Sequence, residues 1–188
     1  MLVLASSSPR RKELMEMLGY DFVVKCADCD ENVENLSCEN AVKELSVRKA
    51  KSVAEKCGCD DVIIGSDTLV CIDSKKLGKP IDNNDAFNML KTLSGRIHTV
   101  YTAVSIIHQN SIQTFVSKTD VEFNDLDDIT IRNYIESGDC KDKAGAYGIQ
   151  GKGAVLVKRI IGDFYTVMGL PVSQLYFKLK SMGILPSN

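Results

Sequence analysis

The sequence predicts an α/β protein with a mixed sheet, on three observations. Short continuous apolar runs at residues 2–5 and 62–65 are of the kind that fill the buried strands of a parallel sheet. Apolar residues recur at helical spacing in the segments around them. The middle of the chain, residues 98–108 and 111–123, is rich in β-formers that flank Gln109-Asn110, which predicts a long hairpin. Helix and strand alternate early while the middle is antiparallel, and together these give an α/β or α+β arrangement.

Residues 2–5 open the chain as a buried strand; the run is too short, and lacks the preceding charge, for a secretory signal. Ser6-Ser7-Ser8 turns the chain. Pro9 suits the first position of a helix, Ser8 can cap it, Leu14 and Leu18 lie four apart, and Gly19 offers a stop. Residues 22–25 read as a second strand, and the acidic stretch 28–34 as a loop. The strongest helical pattern covers residues 39–57, through Val42, Leu45, Lys49, Ala50, Val53, Ala54 and Cys57, with Gly58 as its end. After the strand at 62–65, residues 69–72 continue in extended form and Asp73-Ser74 turns the chain. Ala86, Phe87, Leu90 and Leu93 mark a third helix that stops at Gly95. Beyond the hairpin, a helix starts at Asp127 or Asp128 and runs to about Ser137, and residues 154–161 form a strand. Pro171 opens a last helix with Val172, Leu175, Tyr176, Leu179 and Met182 on its apolar side. Without repeats, low-complexity tracts or linkers, the expectation is one domain over residues 1–188.

A chain of 188 residues, 44% hydrophobic and 26% charged, buries a core without staples. Its 23 Lys+Arg against 25 Asp+Glu argue against a nucleic-acid partner, which needs an excess of cations, but leave room for a small anion in a cationic cleft. No apolar run approaches membrane-spanning length, so the expectation is a soluble cytoplasmic protein with no membrane partner. Seven cysteines, an odd number without a secretory signal, are expected to be reduced thiols. Cys26 and Cys29 have C-x-x-C spacing, and Cys57 and Cys59 lie further along. A zinc site wants a second such pair or histidines, and only His98 and His108 exist, far along the chain, so buried or incidental thiols are the simpler reading.

Four segments carry chemistry. Ser6-Ser7-Ser8-Pro9-Arg10-Arg11 leads a strand into a helix N-terminus, where free N–H groups, hydroxyls and arginine forks suit phosphate oxygens; a capped helix with surface arginines fits the pattern equally well. Gly65-Ser66-Asp67-Thr68 puts an acid just past a buried strand, where α/β proteins place chemistry, although a turn aspartate is the commoner case. Lys79, between Gly78 and Pro80, and Lys49, beside Arg48 and Lys51, are phosphate ligands or solvated lysines. Residues 143–154 carry glycines at 145, 148, 151 and 153 at a spacing that fits neither the P-loop nor the dinucleotide fingerprint. No nucleophile elbow and no zinc-protease motif is present. Carboxylates with scattered cations remain, which is the kit for Mg²⁺-assisted phosphate chemistry.

Taken together, these segments resemble the Maf family of nucleotide pyrophosphatases. The family's opening A-S-x-S-P-R-R stands as Ala5-Ser6-Ser7-Ser8-Pro9-Arg10-Arg11, and its G-A-D-T as Gly65-Ser66-Asp67-Thr68. Gly78-Lys79-Pro80, the segment from Leu93 through Gly95-Arg96 and His98 to Val104, Lys143-Ala144-Gly145-Ala146-Tyr147-Gly148-Ile149-Gln150-Gly151, and Tyr165 to Pro171 follow in family order. Ser66 stands where alanine is usual, beside the acid, which brings metal geometry or rate into question. The resemblance implies an elongated mixed sheet flanked by helices, with two lobes around a cleft, like the inosine triphosphate pyrophosphatases. It implies a homodimer, a divalent metal (Mg²⁺ or Mn²⁺), and hydrolysis of modified or pyrimidine nucleotides at the α-phosphorus. By motif match Asp67 is the proton acceptor, Glu31 lies near metal or water with it, and Ser6, Ser8, Arg10, Lys49 and Lys79 hold phosphates. The subgroup acting on dTTP and UTP carries residues matching Arg11, Thr68 and Gln150, so these nucleotides are the expected substrates. A 7-methyl-GTP pyrophosphatase of the sister subgroup and a non-catalytic nucleotide-binding regulator are the alternatives, the family also being linked to inhibition of septum formation.

Overall fold

All four residues of β1 (Leu2–Ala5) are buried because a parallel strand pairs along each edge: β2 (Phe22–Val24) on one side, β3 (Val62–Ile72) on the other. The computed structural model describes residues 1–109 and 111–187. From β3 the sheet turns antiparallel, through β5 (Ile97–His108), β6 (Ser111–Phe123) and β7 (Val157–Ile161), in the order β2-β1-β3-β5-β6-β7. The short β4 (Lys75–Leu77) returns along β3 after a turn in which Asp73 and Ser74 both take positive φ. The expected long hairpin is β5–β6; Asn110, assigned to its turn, lies outside the described residues. The predicted mixed sheet is thus observed, with helices on both of its faces.

Side chains alternate across a strand, so the residue numbers of β3 separate the two faces. Leu4, Ile64, Val104 and Ile106 pack under α1 (Pro9–Met17), α5 (Phe164–Met168) and α6 (Val172–Ser181). Further along the same face, Val70, Ile72, Val100, Val121 and Phe123 pack under α3 (Asn83–Leu93) and α4 (Asp128–Glu136). A polar row separates these two cores, where Thr68 and Thr102 are cross-strand partners sharing a hydrogen bond of 2.9 Å. The opposite face is covered by α2 (Cys38–Ala54), whose Ala50 and Val53 pack on Val3, Ala5 and Ile63. Gly65 is where helix and strand meet most closely: a Cβ there collides with the Ser46 carbonyl oxygen and lies 2.7 Å from the Ala50 nitrogen. No larger residue fits without moving α2 off the sheet.

Several boundaries differ from the sequence reading. The extended segments at 62–65 and 69–72 are one strand, so Asp67 lies inside β3 rather than beyond its end. Ala154 and Val155 belong to a 3₁₀ turn (Gly151–Val155), not to a strand. Gly151 has φ +60°, and Gly153 has space for no side chain against the Gly148 backbone, so the chain curls before β7 begins. Helix α2 ends at Ala54, short of Gly58. Ser8 occupies the cap position of α1 but makes no side-chain cap bond. β4 and α5 carry too few residues to show a period.

The cysteines are corrected in part. Cys38 and Cys71 form a disulfide with a Cα–Cα separation of 6.6 Å, because the start of α2 packs over the far end of β3. Cys26, Cys29, Cys57, Cys59 and Cys140 are free, and among the described residues no cluster of three or more His, Cys, Asp or Glu forms a metal cage.

His98 is buried between Phe123 and Tyr147, and its Nε2 is 2.7 Å from the Tyr147 hydroxyl. Nδ1 has no partner among the described residues, and burial pushes the imidazole down to about 4 from 6.5. The folded pKa lies below the unfolded one, so the unfolded chain binds a proton that the folded chain refuses. Stability is therefore lost as pH falls from about 6.5 toward 4, by roughly 3 kcal/mol from this group. Urea denaturation at pH 7 and pH 4.5 is expected to show a smaller pH loss for His98→Gln than for the parent. Equal losses would assign the shift to other groups.

Candidate active site

β1 pairs with β3 only as far as Gly65, and β4 pairs with it only from Val70. Between them Ser66, Asp67, Thr68 and Leu69 have no strand partner on that edge. The notch opens at the carboxyl ends of the parallel strands β1 and β2, where the chain leaves the sheet in the 6–8 turn and the 25–37 loop. Ligand crevices in open sheets form at such places. The cleft there is about 1050 Å³, ample for a nucleotide-sized ligand.

Asp67 lies on the α2 face of β3, as Gly65 does, and the close packing at Gly65 delivers Lys49 to it. Lys49 Nζ is 2.5 Å from Asp67 Oδ1 and 2.8 Å from Glu31 Oε1. One ammonium thus bridges two carboxylates from different segments. Burial opposes its charge, but the charge of Asp67 and the hydrogen bonds to both acids outweigh this and raise its pKa. The hydrogen bond from Lys49 is in turn the main cause of the lowered pKa of Glu31, assisted by the charge of Lys79.

On the other face, Arg11 makes three hydrogen bonds to the protein. Its Nε donates to the Gly169 carbonyl (2.9 Å), Nη2 to Thr68 Oγ1 (3.0 Å) and Nη1 to Ser6 Oγ (3.3 Å). Burial lowers its pKa against the attraction of Asp67. Ser66 points to this side, away from Asp67, and donates to the same Gly169 carbonyl at 3.0 Å. Its hydroxyl is therefore part of the packing under Arg11 and does not reach the acid. Ser6 Oγ also accepts the Ser8 N–H at 3.2 Å, which leaves the Ser6 hydrogen to donate elsewhere. In the first turn of α1 the backbone N–H groups have no intrahelical acceptor.

The far wall comes from the glycine-rich segment. Gly145 N–H donates to the Gly78 carbonyl at 2.9 Å, tying this segment to the turn that carries the exposed Lys79. Gly148 N–H donates to the Tyr134 hydroxyl at 3.0 Å. Gln150 lines the cleft with its amide unpaired among the described residues. Arg10 reaches across to Asp142 at 3.2 Å, and Asp142 also pairs with Lys143.

The cleft thus gathers every predicted site residue: Ser6, Ser8, Arg10, Arg11, Glu31, Lys49, Asp67, Thr68, Lys79 and Gln150. It also holds residues that no motif pointed out, Asp139, Asp142 and Lys76 among them. Asp67 and Glu31 are the carboxylates that meet at Lys49 in the cleft, and they are oxygen donors of the type that Mg²⁺ or Mn²⁺ takes. Mg²⁺ is usually bound by one or two protein carboxylates and completes its shell with water and substrate phosphates, so no larger cage is required.

The family model for Maf-like proteins matches residues 1–182. The chain belongs to the Maf family. Relatives include the dTTP/UTP pyrophosphatase of Bacillus velezensis, 49% identical over 184 residues and 97% of both chains. The dTTP/UTP pyrophosphatases of Thermoanaerobacter sp. strain X514 (48% identical, 95% of both chains) and of Thermosipho melanesiensis (48% identical, 93% of this chain and 94% of the relative) are similarly close. Residues of the Maf motifs at 5–11, 67–68, 78–79, 143–151 and 167–169 meet in this cleft, whereas His98 of the motif at 93–104 packs in the core. No described helix is long and apolar enough to cross a membrane.

Proposed function

We propose that this Maf protein hydrolyses dTTP and UTP to the nucleoside monophosphate and pyrophosphate. The observation that supports this best is Lys49 bridging Asp67 and Glu31 at the unpaired stretch of β3, in a chain 49% identical to a dTTP/UTP pyrophosphatase over nearly its full length. In this reading Arg10, Lys79, Lys49 and the Ser6 and Ser8 hydroxyls neutralise and orient the triphosphate, which is most of the work in phosphoryl transfer. Asp67 accepts a proton from the water that attacks the α-phosphorus, and pyrophosphate leaves. Lys49 holds Asp67 and Glu31 in place and favours the ionised form of Glu31. Asp67 and Glu31 would hold the divalent cation, which would supply charge neutralisation on the phosphate oxygens. Arg11 holds Thr68 and Ser6 with three of its five N–H donors, which leaves two for the ligand beside Thr68.

Gln150 offers both donors and an acceptor to a pyrimidine edge. Gln150→Ala is expected to narrow the preference for dTTP and UTP over purine nucleotides; unchanged selectivity removes this role. A panel of dTTP, UTP, CTP, GTP, 7-methyl-GTP and ITP with Mg²⁺ or Mn²⁺, read by pyrophosphate release, tests the whole reading. Release from dTTP and UTP is expected, and release from 7-methyl-GTP alone overturns the base assignment. The reading includes one domain over the chain, a cytoplasmic location and the homodimer that the family resemblance implies, which light scattering checks as twice 20.7 kDa.

A further inference from the structure

We propose that Arg48 and Lys76 form a two-cation clamp that positions Glu31 at the cleft. The proposal rests on the reading of Glu31 as a working residue of that cleft. Glu31 sits on the loop between β2 and α2, its side chain is 63% exposed, and its ion partner is Lys49. One such contact does not fix a loop whose backbone costs about 1–2 kcal/mol per residue to order. The fixing comes from the loop's carbonyls.

Arg48, the residue before Lys49 on α2, donates through Nη1 to the Asp30 carbonyl at 3.1 Å and the Asn32 carbonyl at 3.0 Å. It therefore holds the backbone on both sides of Glu31. Its Nε is tied to Glu44 at 2.8 Å, one helical turn back, which fixes the guanidinium itself. Lys76 on β4 donates to the carbonyls of Val33, Glu34 and Leu36 at 2.6, 2.9 and 2.8 Å. An ammonium has three N–H donors, and the loop takes all of them. Lys76 lines the cleft but has no donor left for a phosphate, which separates its role from that of Lys79. The base of the clamp is itself anchored, since the strand partner of Lys76 is Cys71, which is bonded to Cys38 at the start of α2.

Both residues act through Glu31 and not on the nucleotide, so their effects are expected to vanish when Glu31 is disabled. Lys76→Met keeps the aliphatic stem and removes the donors. It is expected to lower kcat for pyrophosphate release about ten- to a hundred-fold, as loss of a supporting shell does, with KM little changed. Hydrogen exchange of residues 30–36 is expected to quicken while the strands stay protected. In a Glu31→Gln background, Lys76→Met and Arg48→Gln are expected to cause no further loss, whereas general destabilisation lowers kcat equally in both backgrounds. Equal losses in the two backgrounds, or parent-like kcat in Lys76→Met beside an impaired Glu31→Gln, overturn the clamp and leave Glu31 standing. Parent-like kcat in Glu31→Gln alone overturns the reading of Glu31, and the clamp with it, before either cation is touched.

Discussion

Asp67→Asn is expected to lower kcat for pyrophosphate release from dTTP by about a hundred- to ten-thousand-fold, the range of general-base assistance, while nucleotide binding persists. The substitution keeps the shape and an acceptor oxygen for Lys49, so the contact at 2.5 Å has a replacement. It removes the group that accepts the proton. Lys49 keeps Glu31 at 2.8 Å, so no buried cation is left without an anion and the fold is not the casualty. Binding is expected to hold or tighten, because an anion has been withdrawn from beside the phosphates. Calorimetric titration with a non-hydrolysable dTTP analogue reads binding, and a coupled assay reads turnover. A variant within a few fold of the parent in kcat takes the proton-acceptor role away from Asp67.

The sequence carried the site further than it carried its surroundings. Asp67 was visible as an acid following an apolar run, yet its place inside a strand depends on pairing with β5, which the local sequence does not display. Gly65 stood in the same motif, but its reason is tertiary: it lets α2 approach until Lys49 meets Asp67. Arg11 was legible as a guanidinium near an anion site and proved to be engaged by the Gly169 carbonyl, a residue far along the chain. The clamp of Arg48 and Lys76 left no trace at all, because carbonyls of any residue type accept its bonds. Cys38 and Cys71 are 33 residues apart, a spacing with no pattern of its own, and only the packing of α2 over β3 brings them together.

Lys49→Met is expected to differ from Asp67→Asn in kind. The aliphatic stem stays packed, but the ammonium that faces both carboxylates and the triphosphate is gone. Loss of a charge-stabilising donor of this kind costs about a hundred- to a thousand-fold in turnover, and binding weakens as well, since two carboxylates now face the phosphates without their cation. The pH dependence separates this from a simple loss of fit. Lys49 is the main cause of the lowered Glu31 pKa, so removing it raises that pKa. Glu31 then takes up its proton at a higher pH, and the acid limb of the kcat/KM profile moves toward neutrality. Asp67→Asn leaves the Lys49–Glu31 bond in place and is expected not to move that limb in the same way. An unmoved acid limb in Lys49→Met would mean that Glu31 does not govern it, and would reduce Lys49 to a phosphate ligand. A shifted limb with weakened binding requires the bridge, because no phosphate contact of Lys49 alone changes the ionisation of an acid in the free enzyme.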